Sequence, residues 1–213
     1  MSGCATLARS VHPVEDWAGT GLQTEVDVRF MTRVGGAVVV LWGAFAPALS
    51  GQVSGSAAAE AYFGAVSEYF MLPRSEVSIL GEWRLPAEEI PVVLFVARRA
   101  GVSPEAVVAL RGAGRGWAEL TARYRLDATQ FHVPLPESAN AGALEDAYRR
   151  FRSLPAGRWK EVVLTDADIV GLVNLRVLSE TLRRSPQEIL AAPVQGSWIE
   201  RYAHFLGGSP PTP

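Results

Sequence analysis

Two stretches of this chain open in the same way, and that repeated opening limits the folds available to it. Ser103-Pro104-Glu105 and Ser185-Pro186-Gln187 each set a hydroxyl, a proline and an acid or amide in succession. A serine there caps free backbone N–H groups, and proline at the first helical position loses no hydrogen bond. The acid or amide then falls in the first turn. Both triplets therefore read as helix starts. The residues downstream agree as well: Val107-Val108 stands against Ile189-Leu190, a helix-breaking stretch comes next, and glycine then closely precedes Trp117 in one copy and Trp198 in the other. Upstream, PVVLFVAR (91–98) falls opposite VNLRVLSE (173–180) at the same offset. The spacing predicts two related helical units, about 86–131 and 165–206, arising by internal duplication. Ser103, Pro104, Trp117, Ser185, Pro186 and Trp198 are their structural anchors, each tryptophan locking the second helix of its unit against the first through its large buried area.

The remaining apolar spacing is helical too. SAAAEAYFGAVSEYFML from Ser56 carries alanine and aromatic residues at three- and four-residue intervals, and LPRSEVSIL restarts a helix near Pro73. LPAEEIPVVLFVARRAG begins with Glu88 and Glu89, ends with Arg98-Arg99 and stops at Gly101, so start, end and C-cap favour helix over a buried strand. A helix is expected from about Gly142 to Leu154, and a long one in LTDADIVGLVNLRVLSETL with Thr165 or Asp166 as N-cap and Asp168 in its first turn. The fold class is all-α: a compact multi-helix bundle of two related units in a single domain over 51–207, with no sheet. Residues 208–213 are expected to form a disordered tail.

LRGAGRGWAEL (110–120) raises the question of a phosphate cradle. Gly112, Gly114 and Gly116 lack the spacing of a dinucleotide fingerprint, no Gly-Lys-Ser/Thr comes after them, and a helix rather than a strand precedes them. They occupy the place that PVQGS fills in the second unit, so a helix-breaking turn is the shared requirement.

MTRVGGAVVVLWGAFAPALSGQ, beginning at Met31, has one positive charge at Arg33, an uncharged apolar run from Val34 to Leu49, and small residues after it. That is the three-part layout of a secretory signal peptide, and the run is short for a bilayer span. Residues 31–50 are expected to be a signal cleaved after Ser50, with Ala48 as second choice, and residues 1–30 an upstream over-extension or disordered arm. The expected location is the periplasm or outside the cell, with no stable membrane insertion once the signal is removed.

The formal charge of −2 provides no positive field for nucleic acid. The single cysteine, Cys4, precedes the signal, and no metal-binding Cys/His spacing exists. His132 and His204 lie in unlike contexts without spaced ligand partners. TDAD (165–168) lacks the rest of a calcium loop, so helix capping accounts for it. Glu88, Glu89 and Glu119 are candidates for a glycan-cleaving acid, but helix N-terminal charge explains all three. Residues 103–131 have helix-turn-helix spacing, with His132-Val133-Pro134 interrupting the recognition helix. No catalytic, cofactor-binding or metal residue is assigned, and no cofactor is expected. The expected role is non-enzymatic binding or scaffolding in the envelope of a bacterial cell, the partner being an envelope protein or small ligand. The alternatives are a cell-wall hydrolase, or a DNA-binding protein if the chain is not exported.

Overall fold

The structure, a computed structural model, describes residues 50–83, 85–194 and 196–207, with side chains from residue 57. The expected arm 1–30, all of the signal segment 31–50 except Ser50, and the tail 208–213 lie outside the described residues. Every regular element among the described residues is helical: α1 (Ser50–Phe70), α2 (Arg74–Gly81), α3 (Ile90–Ala100), α4 (Pro104–Gly112), α5 (Trp117–Arg123), α6 (Ala128–Phe131), α7 (Glu145–Arg152), α8 (Asp166–Leu182), α9 (Pro186–Ala191) and α10 (Trp198–Gly207). Short 3-10 turns at Ala87–Glu89, Gly142–Leu144 and Ala156–Glu161 lead into α3, into α7 and out of α7. No strand occurs among the described residues.

Local chemistry sets most of these ends. Ser103 Oγ accepts from Ala106 N at 3.4 Å to start α4. At α9, Ser185 Oγ accepts from Glu188 N at 3.2 Å while Glu188 Oε2 accepts from Ser185 N at 2.8 Å. Thr165 and Asp168 form the same reciprocal box at α8, at 3.2 and 2.7 Å, and Arg150 donates to Asp168 Oδ2 at 2.7 Å. Such boxes satisfy two orphan N–H groups at once. Gly101 ends α3 in the left-handed region at φ 66, letting the amides of Gly101 and Val102 both reach Ala97 O.

Helices α3 and α8 pack against each other and form the centre. Ile90 to Ala97 of α3 are all buried, and Leu172, Leu175 and Leu178 of α8 are fully enclosed. Each such leucine contributes about 1.5–3 kcal/mol of burial free energy. Around this pair, α4 lies on α3, α9 and α5 lie on α8, and α1 packs on α8 and α10.

Two expectations about element bounds need correction. The helix expected from Ser56 begins at Ser50, because the Gly/Ser segment between them continues the turn of α1. In the first unit, the helix expected after Trp117 ends at Arg123, since Arg125 takes a left-handed conformation (φ 56) and Asp127 opens the single-turn α6 by accepting from Thr129 N at 2.9 Å. The helix begun by Trp198, α10, runs ten residues without a break.

Candidate functional site: a cleft at the starts of the central helices

Glu88 and Asp166 sit at or just before the starts of the two central helices, and each reaches across to the start of a helix distant in sequence. Asp166, the first residue of α8, accepts through Oδ1 from Ala118 N at the start of α5, at 2.9 Å. Glu88, in the turn before α3, accepts through Oε1 from Trp198 N and, at 3.4 Å, from Ile199 N at the start of α10. Each tryptophan-led helix is thus capped by a carboxylate from near the start of a central helix. Negative charge beside unpaired N–H groups is stabilising there.

Glycines make both approaches possible. A Cβ on Gly116 would stand 2.9 Å from Asp166 Oδ2 and 3.1 Å from Oδ1. A Cβ on Gly171, in the middle of α8, would stand 2.6 Å from Leu144 Cδ2 and 3.5 Å from Trp198 Cζ2. The glycine-rich stretch therefore has two structural reasons: Gly114 turns the chain at φ 85, and Gly116 admits a carboxylate.

Glu88 is itself held from the core. Its backbone carbonyl accepts from Asn174 Nδ2 at 2.9 Å, Val170 O accepts from the same amide at 2.8 Å, and Tyr62 donates to Asn174 Oδ1. Tyr62 and Asn174 are fully buried, and burial pushes the Tyr62 hydroxyl well above the usual tyrosine range, with the Glu88 charge adding to the effect.

Glu88, Asp166, Gly171, Trp117 and Trp198 line a cleft of about 370 Å³, within the size range of small-molecule sites. Glu89 and Arg111 form a bidentate pair in its wall, with both bonds at 2.8 Å. Hydrogen bonding to Glu89 raises the Arg111 guanidinium above its ordinary range; burial opposes this, and the charges of Glu89 and Asp166 reinforce it. The Arg111 guanidinium lies 5.5 Å from the Trp117 ring and that of Arg201 lies 5.6 Å from the Trp198 ring. Trp117 is 0% exposed, and its Nε1 has no hydrogen-bond acceptor among the described residues. A buried N–H left in that state costs about 1–3 kcal/mol.

The two tryptophan anchors are therefore unlike. Trp117 is enclosed as expected of a core anchor, whereas Trp198 is only half-buried and shares the cleft wall with it. The other anchors, Ser103, Pro104, Ser185 and Pro186, stand at helix starts outside the cleft. Glu88 and Glu89 stand at the start of α3 as expected, and packing also brings another helix end within reach of Glu88 and a guanidinium within reach of Glu89. Glu119 stays at the surface, paired with Arg115 at 2.7 Å. Arg111, Gly171 and Asn174 were not apparent from sequence, since no local pattern separates an inward-facing side chain from its neighbours on the same helix.

The histidines do not meet. His132 stacks on Trp159 with ring centres 4.1 Å apart, beside Phe151, while His204 is exposed. Burial lowers the His132 pKa, and the Arg176 charge lowers it further. A second cavity of about 350 Å³ opens beside His132, but Arg176 in its wall already donates to the carbonyls of Gln130 and His132, at 3.0 and 2.8 Å. That guanidinium is committed to holding the chain around residues 130–132.

Comparison with known proteins finds no matching family model, no matching curated protein and no matching solved structure.

Proposed function

We propose that this chain is an exported, non-enzymatic binding protein of the periplasm or cell envelope, built by duplication of one helical unit, with its site in the cleft between the copies. The observation that carries the reading is the joint wall: Trp117 from one unit and Trp198 from the other line a single cleft held together by carboxylates exchanged between them. Duplication is supported by the order of parts. In each unit a long buried helix (α3, α8) precedes a Ser-Pro-capped helix (α4, α9) and a helix begun by tryptophan (α5, α10).

Binding is favoured over hydrolysis because each acid in the cleft already has a partner. Glu89 is engaged through both oxygens by Arg111, and Glu88 and Asp166 each give one oxygen to a helix start. A general acid needs a carboxyl free to keep and deliver a proton. DNA reading by α5 is disfavoured because the helix has seven residues and a carboxylate stands over its first turn, where a phosphate or base edge would approach.

Two measurements test the proposal. The full reading frame, carrying a C-terminal tag in a Gram-negative host, is expected to give a periplasmic product whose N-terminal sequence begins at Gly51; a cytoplasmic product beginning at Met1 overturns export. Thermal-shift screening of the purified full chain against a small-molecule library is paired with Ala143→Trp, an exposed position on the cleft rim. Ligands at 100 times their Kd stabilise by about 2.7 kcal/mol. Compounds that raise the melting temperature of wild type but not of the plugged variant are expected; their absence overturns the cleft as a site.

A further inference from the structure

We infer that the second cavity, beside His132, binds the phosphate group of a small phosphate monoester. It is a separate site from the cleft at Trp198. The cavity, of about 350 Å³, lies between the chain at 132–134 and the last turns of α8, where Pro134, Arg176, Glu180, Arg184 and Pro186 line it with His132. All six are at least partly exposed, so the wall is open to a ligand. Two guanidinium groups meet there without a close counter-ion. Arg176 forms no ion pair among the described residues, and its hydrogen bonds to Gln130 O and His132 O, both through Nη2, fix the charge in place without neutralising it. Arg184 has only a loose contact, 3.9 Å to Glu188 Oε1, while the other oxygen of Glu188 is taken by the cap of α9.

A third guanidinium stands close by. Arg99, also without an ion pair among the described residues, lies 5.3 Å from the centre of the Phe95 ring, and Arg176 lies at the same distance from that ring. Glu180 is the one acid among the lining residues, and the negative end of α8 offsets only about half an elementary charge. The wall therefore stays positive. Its field reaches the cavity, because the Arg176 charge adds to burial in lowering the His132 pKa. The donors then select the anion. A guanidinium presents a planar fork that one carboxylate already fills, whereas two arginines at separate positions suit a group with more acceptors. A phosphate monoester has three such oxygens and a charge of about −1.5 to −2 near neutral pH. A phosphodiester, as in a lipid headgroup, has lost one of those oxygens to a second substituent. The prolines leave room for a short carbon body beside the phosphate.

The test is calorimetric titration of the full chain at low salt with three probes: glycerol 3-phosphate, glycerol as its uncharged match, and vesicles of phosphatidylglycerol. Glycerol 3-phosphate is expected to bind more tightly than glycerol by about tenfold or more, the worth of one charge-assisted hydrogen bond. Two variants of opposite sign locate the site. Arg184→Gln, which breaks no hydrogen bond, is expected to melt like wild type and to lose about tenfold in affinity. Glu180→Gln removes a like charge from the wall and is expected to gain roughly threefold. Ala143→Trp, which plugs the other cleft, should leave this binding unchanged. Equal affinity for glycerol and its phosphate, or an affinity untouched by Arg184→Gln or weakened by Glu180→Gln, overturns the inference. Binding abolished by Ala143→Trp moves the phosphate to the other cleft, and vesicle binding without glycerol 3-phosphate binding assigns the charge to a lipid surface. Either result also overturns it, and neither bears on whether the first cleft is a site for other compounds.

Discussion

Replacing Gly116 with alanine separates two opposing effects whose sum has a predictable sign. Gly116 has φ −72 and ψ 158, a conformation any residue adopts, so the backbone tolerates alanine. On that ground alone the change stabilises by about 0.4–1 kcal/mol through the unfolded chain, a gain offset by alanine being a poorer N-cap than glycine. The new Cβ, however, would lie 2.9 and 3.1 Å from the two oxygens of Asp166. The carboxylate must withdraw, and the N-cap it gives to Ala118 is lost or stretched, at a cost of about 1–2 kcal/mol. Gly116→Ala is therefore expected to destabilise by roughly 1–2 kcal/mol. In the background of Asp166→Ala, where the cap is already gone and the space is open, the same change should be close to neutral. The double-mutant cycle in urea then gives a coupling of about 1–1.5 kcal/mol between residues 50 apart in sequence. A stabilising Gly116→Ala in the wild-type background, or additive effects of the two changes, would refute the reasoning that this glycine exists to admit Asp166.

Three further outcomes are expected. Asn174→Leu should cost about 2–5 kcal/mol, because it strands the Tyr62 hydroxyl and the Glu88 carbonyl in the core; a loss under 1 kcal/mol by denaturant titration argues that water or a shift of α1 repairs the network. Arg183 ends α8 in the left-handed region at φ 53, so Arg183→Gly should stabilise by about 0.5–1 kcal/mol, read as a higher urea midpoint at unchanged slope. His132 binds its proton more weakly when folded, owing to burial and then to Arg176. Its contribution to stability is complete above the ordinary histidine pKa near 6.5 and is lost as pH falls from there toward the lower folded value. His132→Gln should accordingly flatten the decline in stability between pH 7 and 5, and an unchanged slope would count against His132 as its source.

Helix content and most helix starts were legible in the sequence because the forces that set them act over three or four residues. Ser103, Ser185, Thr165 and Gly101 each cap or stop a helix as their neighbours imply. The break after Arg123 was not read from the sequence, since Tyr124 and Arg125 are ordinary helix residues; in the structure Arg125 turns left-handed, Asp127 opens α6 and Phe131 is buried. The difference between Trp117 and Trp198 was hidden for a related reason: the two residues have similar sequence surroundings, and their exposure depends on what lies above them. Trp198 faces Gly171 and Leu144, whereas Trp117 is closed in.

The sequence by itself determined that this is a helical chain, where many of its caps fall, and that two of its helices open with Ser-Pro. Only the tertiary structure decided that Glu88 caps a helix 110 residues away and Asp166 one 48 residues away, and that a cleft with two tryptophans lies between them. The physical reason is that an acid near a helix start satisfies its own helix dipole, a neighbour's free N–H groups or a passing guanidinium by the same electrostatics. Local sequence leaves these choices nearly equal in energy, and the packing of α3 against α8 selects among them.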